Sequence, residues 1–137
     1  MFQKITIDVD GHKISGIKDQ FDLIGLKNVL GAPEVIRDDG FTERWFFEFA
    51  LVDIVKSTKS IELIDFTPNA PILVFGKDPF RDIYVLNCLM KKSSNWKQHL
   101  PMGDYYFYDL MIALCYNQDG DLSDSTFGFY WSNMPTQ

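Results

Sequence analysis

The sequence predicts an α+β fold, in which an antiparallel β-sheet carries one or two helices packed on one face. Strand-like segments rich in branched and aromatic residues are separated by short turn motifs, whereas two segments show helical spacing or helix-boundary residues. No internal repeat and no linker-like composition divides the 137 residues. We therefore expect a single domain over residues 1–137.

The first predicted element is a hairpin. Ile5, Ile7 and Val9 alternate with polar residues, which is typical of a half-buried strand. The Asp10-Gly11 dipeptide that follows favours a tight turn, because both residue types tolerate the backbone angles such a turn needs. A return strand is expected from Lys13 to Ile17.

The next segment changes period. Between Lys18 and Leu30 apolar residues recur every three to four positions, which predicts an amphipathic helix. Gly31 stands at the C-cap position, and Pro33 prevents the helix from continuing. Asp38-Asp39-Gly40 then predicts a turn.

The middle of the chain is predicted to be all strand. Glu43–Val55 is rich in aromatic and branched residues and predicts one long strand covered on both faces over part of its length. After a turn at Ser57–Ser60, the segments Ile61–Phe66 and Ile72–Phe75 predict a hairpin around Thr67–Ala70.

The sequence leaves open whether residues 79–91 form a helix or a strand. Asp78-Pro79 suits a helix start, with Asp as N-cap and Pro in the first turn, and Lys91-Lys92 suits a helix end. Ile83-Tyr84-Val85 instead favours a strand. The boundary residues favour the helix.

The C-terminal part is predicted to form two strands. Tyr105–Tyr116 reads as one interior strand, Asn117–Asp124 as a polar loop, and Thr126–Ser132 as a closing strand. Gly128, on the opposite face of that closing strand, either relieves crowding or marks a bulge. Alternation places three aromatic residues together on the other face: Phe127, Phe129 and Trp131.

Catalytic, metal and cofactor motifs are sparse. His12 follows a turn and His99 precedes a Leu-Pro pair, so both are expected in solvated loops. Cys88 and Cys115 lie in apolar runs, where a thiol is expected to be reduced, buried and unreactive. The 117–124 segment lacks the Gly and Glu positions of a calcium loop, and no glycine-rich phosphate loop is present. We expect no cofactor and no metal, and the lack of a catalytic motif favours a binding protein over an enzyme.

Charge and hydropathy narrow the class of partner. The net charge is −6 and the pI is near 4.7, which disfavours nucleic acid and anionic membranes. No apolar run is long enough for a membrane span, and the start lacks the pattern of a signal peptide. These features predict a cytoplasmic protein.

The last forty residues are the most distinctive segment. Residues 98–137 contain no Lys or Arg, five Asp and nine aromatic residues. Three interpretations remain open: core aromatics with Asp-filled loops, a docking face for a basic protein, or an aromatic-walled pocket for a small ligand. The docking face would comprise Asp104, Tyr105, Tyr108, Tyr116, Asp119, Asp121, Asp124 and Trp131.

Two family resemblances accompany these features. Leu30-Gly31-Ala32-Pro33 followed by Trp45-Phe46-Phe47 resembles the order of helix stop and strand in small bacterial α+β modules such as the BamE-like fold. In size, acidity, aromatic content and lack of catalytic motifs, the chain resembles the immunity proteins of bacterial toxin systems. That resemblance implies a protein that binds and blocks a toxin domain, often a basic nuclease.

The favoured hypothesis is therefore a non-enzymatic cytoplasmic protein that neutralises a basic protein partner. The alternative is a small-ligand-binding or enzymatic α+β domain with an aromatic-lined pocket. A third hypothesis buries the aromatics at a symmetric interface between copies of the chain.

Overall fold

The computed structural model describes residues 3–99, 103–115 and 125–135. These residues form an α+β fold with a large antiparallel sheet, which confirms the predicted fold class. The helices are α1 (Leu23–Leu30) and α2 (Tyr84–Lys92). The strands are β1 (Ile5–Asp8), β2 (Lys13–Ile14), β3 (Val35–Asp38), β4 (Thr42–Phe46), β5 (Ala50–Val55), β6 (Ser60–Phe66), β7 (Ile72–Val74), β8 (Trp96–His99), β9 (Asp104–Phe107), β10 (Ile112–Cys115) and β11 (Thr126–Tyr130).

A small three-stranded sheet has the order β2-β1-β7. The predicted N-terminal hairpin is confirmed as the antiparallel pair β1–β2. The predicted hairpin of 61–66 with 72–75 is wrong, because β7 pairs in parallel with β1 instead. Between β6 and β7, the Ala70 amide donates to the Thr67 carbonyl, and the Pro71 carbonyl accepts from Ile5. The connection therefore carries the chain away from β6 and into the small sheet.

The large sheet has the order β3-β4-β5-β6-β11-β10-β9-β8, with all pairs antiparallel. The predicted single strand over 43–55 is wrong, because the chain reverses at residues 47–49 to form the β4–β5 hairpin. The Phe47 amide donates to the Ala50 carbonyl at 2.9 Å and closes this turn. Phe47 and Phe49 are buried, so this turn has the apolar composition that is typical of a strand.

The predicted interior strand over 105–116 is also wrong. It is a hairpin of β9 and β10, closed by the Leu110 amide donating to the Phe107 carbonyl at 3.1 Å. Met111 takes the positive φ (56°) that the turn requires. The strand expected at 126–132 is present as β11, but it lies between β6 and β10 rather than at an edge. The expected loop at 117–124 is outside the described residues.

Both helices are present but shorter than predicted. α1 begins at Leu23, because the Asp22 side chain caps it by accepting from the Gly25 amide at 2.9 Å. Gly31, with φ 88°, ends it as expected. Residues 79–91 are resolved in favour of helix, although Asp78 is not its N-cap. The Asp78 side chain accepts from Phe80 in a preceding turn, and α2 begins only after Ile83.

One hydrophobic core joins the two sheets and both helices. Its largest fully buried side chains come mainly from one face of the large sheet and include Phe66, Phe107, Phe127 and Phe129. Alternate residues of the same strands point to the opposite face, called the outer face below. No helix among the described residues is long and apolar enough to cross a membrane.

Candidate binding face of the large sheet

The centre of the outer face is a row of side chains that runs across five neighbouring strands. Asp65 lies between Ile64 and Phe66, which are both fully buried on the core face, so strand alternation turns Asp65 outward. The cross-strand register then places these residues in one row: Leu51, Asp65, Gly128, Ala113 and Tyr106. A carboxylate therefore lies on one of the two middle strands of the sheet, between Leu51 and Gly128 in the row.

Gly128 makes room for the Tyr130 ring. A Cβ at position 128 would lie 3.0 Å from Tyr130 Cε1 and 3.6 Å from both Ala113 Cβ and Leu63 Cδ1. The pairing of β11 with β10 and β6 continues through Gly128 without a register shift. Of the two roles considered for this glycine, relief of crowding is the one the structure supports.

We expect Gly128→Val to destabilise the protein by about 1–3 kcal/mol, the usual cost of overpacking a close-packed site. The β-branched side chain would collide with the Tyr130 ring. Adding Tyr130→Ala should remove the collision, so the double variant should be more stable than the sum of the two single effects. Urea unfolding of the four proteins gives this coupling. Additive effects would show that the two side chains do not meet.

The position of Asp65 in the fold shifts the ionisation of its carboxyl group. Burial raises the pKa of this carboxyl from 3.8 to about 6, and the nearby Asp53 and Asp104 carboxylates act in the same direction. A hydrogen bond from Thr126 and the charge of Arg44 lower it only in part. Arg44 is already engaged, because its guanidinium binds both carboxylate oxygens of Asp53 at 2.8 and 3.1 Å. The negative charge of Asp65 is therefore poorly compensated.

Two tyrosine hydroxyls and one thiol on the outer face stay protonated near neutral pH. Burial raises the pKa of Tyr106 to about 12 and that of the Cys115 thiol to about 12. Burial also raises the pKa of Tyr130, on which the Asp65 charge acts as well. The Tyr130 hydroxyl and the unreactive Cys115 thiol thus lie close enough to Asp65 to be affected by its charge, whereas the Tyr106 hydroxyl lies 3.5 Å from Asp104 Oδ2. We call Asp65, Asp104, Tyr106, Cys115 and Tyr130 the Asp65 cluster.

Asp104 and Tyr108 connect this cluster to the end of the sheet. Asp104 pairs with Cys115 on β10 and with His99 on β8. The His99 ring packs edge-on against Tyr106, with 4.7 Å between ring centroids, and its Nε2 lies 3.2 Å from the Tyr108 hydroxyl. His99 therefore belongs to a strand and an aromatic group, which corrects the expectation of a solvated loop.

The residues predicted to form one docking face are divided between two faces. Asp104 and Tyr108 lie on the outer face. Tyr105 points to the core side, with its ring 6.2 Å from Trp96, and Trp131 packs edge-on against Phe129 at 4.7 Å. The other four predicted residues are outside the described part of the chain: Tyr116, Asp119, Asp121 and Asp124.

His12 is a second residue whose environment differs from the prediction. Its ring stacks on Phe129 with centroids 4.1 Å apart, and its Nε2 lies 2.7 Å from the Tyr130 carbonyl oxygen. Burial lowers the pKa of His12, although hydrogen bonds with backbone at Tyr130 and Leu110 oppose this. The residue expected in solvent instead fastens the β1–β2 turn to the end of β11.

Aromatic residues do not line three shallow depressions found among the described residues. Three shallow depressions of about 370, 510 and 390 Å³ lie around β2 and α1, next to residues such as Ser15, Gly16 and Asn28. Within the described residues, no three His, Cys, Asp or Glu side chains converge to hold a metal ion.

Searches with the whole chain found no matching protein-family model, no similar curated protein and no similar solved structure.

Proposed function

We propose that the chain is a non-enzymatic cytoplasmic protein that binds and neutralises a basic protein partner, as an immunity protein blocks a toxin domain. The observation that carries the proposal is Asp65, a carboxylate held in a half-buried position that disfavours its charge. A group in such a position costs stability in the free protein. A cation supplied by a partner would offset that cost.

The surroundings of Asp65 suit an arginine or lysine side chain. Asp104 adds a second carboxylate on the same face, and the hydroxyls of Tyr106 and Tyr108 are acceptors as well as donors. Tyrosines provide rigid contact area while keeping their hydroxyls in water. The net charge of −6 would speed the encounter with a positively charged surface. A nuclease domain presents such a surface, because it has to bind phosphate.

The proposal predicts that binding is linked to protonation of Asp65. Because a bound cation favours the ionised carboxylate, the complex should tighten as pH rises from 5 to 7, with release of about half a proton per complex near pH 6 and close to one near pH 5. The partner is first captured from native lysate on the tagged chain at low and then moderate salt. Calorimetry of the purified pair in buffers of different ionisation enthalpy then counts the protons.

Matched variants distinguish binding at the outer face from a general effect of the negative net charge. Asp65→Asn/Asp104→Asn should weaken capture at least tenfold, the usual effect of removing charges that a partner desolvates. Glu34→Gln/Glu48→Gln makes the same change in net charge at exposed residues outside the cluster and should have little effect. Equal binding by both double variants would eliminate the outer face as the site.

The second candidate is a small-ligand-binding or enzymatic role, and the raised pKa of Asp65 is the observation that favours it. Carboxyl groups with raised pKa values beside a second carboxylate are typical of acid–base catalysts. A thermal-shift screen of small molecules distinguishes the roles, because a tight ligand should raise the melting temperature. A response that is abolished by Asp65→Asn would transfer the outer face from partner binding to ligand binding.

A further inference from the structure

The strand β8 forms one end of the large sheet, and no other described strand pairs with its free edge, the edge that points away from β9. Three of its four residues, Trp96, Lys97 and Gln98, are exposed. The Tyr108 amide donates to the Asn95 carbonyl at 3.0 Å, which sets the phase of the β8–β9 ladder. Because hydrogen-bonded pairs alternate in antiparallel strands, Lys97 bonds toward β9, whereas the backbone groups of Trp96 and Gln98 point outward.

The two faces of this edge differ in chemistry. On the core side, Trp96 is 36% exposed and its ring lies 6.2 Å from Tyr105 and 6.3 Å from Phe107. Lys97 and His99 lie on the outer face, and Lys97 is in no ion pair within the described part of the chain. An added strand would therefore meet an aromatic surface on one face and an available cation on the other.

The opposite edge is less suited to strand addition. The central cation of β3, Arg37, already binds Asp39 at 2.7 and 3.1 Å, and Asp38 is paired with Lys56 at 2.8 Å. Charged side chains at an edge discourage pairing unless the added strand brings the opposite charge, and the charges of β3 are already paired within their own chain. Lys97 therefore distinguishes the β8 edge.

A second copy of the chain is a poor occupant of the β8 edge. A two-fold antiparallel pairing that uses the outward groups of both Trp96 and Gln98 places Lys97 directly opposite Lys97 of the other copy. Like charges directly opposite each other destabilise a sheet, and this pair would stand at the narrow, non-hydrogen-bonded spacing. The same geometry favours a carboxylate opposite Lys97.

We infer that β8 is a strand-addition site for an extended segment of a partner protein, in which an acidic residue lies opposite Lys97 between two apolar residues that pack beside Trp96. The backbone groups of Trp96 and Gln98 would supply the hydrogen bonds, and the alternating side chains would supply the specificity. The backbone groups that would pair point away from the sheet, so this inference does not require a basic partner, although Lys97 lies opposite Tyr106 of the Asp65 cluster.

The probe is a phage library of random heptapeptides, selected on the wild type and on two variants of one residue. Gln98→Pro removes an N–H that points outward, a place where an edge strand tolerates proline, and Gln98→Ala is its matched control. We expect selected peptides in which Asp or Glu alternates with apolar residues. A peptide synthesised from that consensus should bind Gln98→Pro at least tenfold more weakly than Gln98→Ala, with both variants melting like the wild type.

The charge preference is tested with Lys97→Glu, which should select Lys or Arg at the position where the wild type selects Asp or Glu. Amide chemical shifts should change at Trp96 and Gln98 when the wild type binds its peptide. Three results would each overturn the inference: no enrichment over the Gln98→Pro background, the same consensus on wild type and Lys97→Glu, or light scattering that shows a wild-type dimer which Gln98→Pro dissociates. The last result would assign the edge to a second copy.

Discussion

Asp65→Asn is expected to melt at a higher temperature than the wild type at pH 7.5. The folded state raises the pKa of Asp65 from 3.8 to about 6, so ionised Asp65 destabilises the folded chain at neutral pH. A difference of this size corresponds to about 3 kcal/mol, or roughly 7–10 °C for a chain of this length. Asparagine has the same shape, carries no charge, and still accepts the Thr126 hydrogen bond.

The pH dependence identifies the cause. A carboxyl whose folded pKa is raised contributes stability below its unfolded pKa and loses it as pH rises through the folded pKa. The advantage of Asp65→Asn should therefore be small at pH 4, grow between pH 4 and 6, and stay constant above pH 7. Calorimetric melting curves across this range measure it. An advantage that is independent of pH would mean that the substitution acts through packing.

Asp53→Asn is the matched control on the same face. The Asp53 carboxylate accepts hydrogen bonds from Nε and Nη2 of Arg44. Removing its charge should therefore destabilise the protein by about 1 kcal/mol, as for other partly exposed ion pairs. The two substitutions make the same chemical change one strand apart. Effects of the same sign would contradict the distinction drawn here between a paired and an unpaired carboxylate.

His12→Ala is expected to destabilise the protein by about 2 kcal/mol. The estimate combines loss of the Phe129 stacking (about 1 kcal/mol) and loss of a part-buried hydrogen bond (about 1 kcal/mol). The φ of His12 is 51° and its Nε2 lies 2.7 Å from the Tyr130 carbonyl oxygen. His12→Gly should be milder than His12→Ala by about 1 kcal/mol, because glycine has no Cβ and removes the backbone strain that both His and Ala have at this φ.

Denaturant unfolding at pH 7.5 measures both His12 variants, and a loss below about 0.5 kcal/mol for His12→Ala would show that the ring is not a structural contact. Because burial lowers the pKa of His12, its contribution is present above pH 6.5 and is lost as pH falls through the folded pKa. This sign is opposite to that of Asp65. In the Asp65→Asn background, stability should therefore fall more steeply on acidification than in the wild type.

Local sequence patterns predicted the elements whose signals are local. The β1–β2 hairpin has alternation and an Asp-Gly turn, and α1 has helical spacing and a C-cap glycine. The two long predicted strands failed because their turns, at Phe47–Phe49 and Tyr108–Met111, contain almost none of the usual turn residues. Core burial of aromatic side chains outweighs turn preference at the first of these sites.

Pairing partners and the candidate site were harder to predict. β6 and β7 are adjacent in sequence but join different sheets, and no local pattern carries that information. The sequence analysis predicts Asp104 and Tyr108 as site residues, whereas Asp65 lies inside a segment predicted only as a strand. A signal was present in the sequence: a single Asp between two large apolar residues, at the position where alternation points away from the core. Its distant neighbour Gly128 becomes informative only once the register is known.

The position of β11 has a consequence for how the protein is made. This strand is the last described strand of the large sheet along the chain, yet it lies between β6 and β10 and begins sixty residues after β6 ends. During synthesis the sheet therefore remains in two parts, with two open inner edges, until residues 126–130 have left the ribosome. Folding of the large sheet is completed from its middle, so premature termination before residue 126 should leave an aggregation-prone chain rather than a smaller folded one.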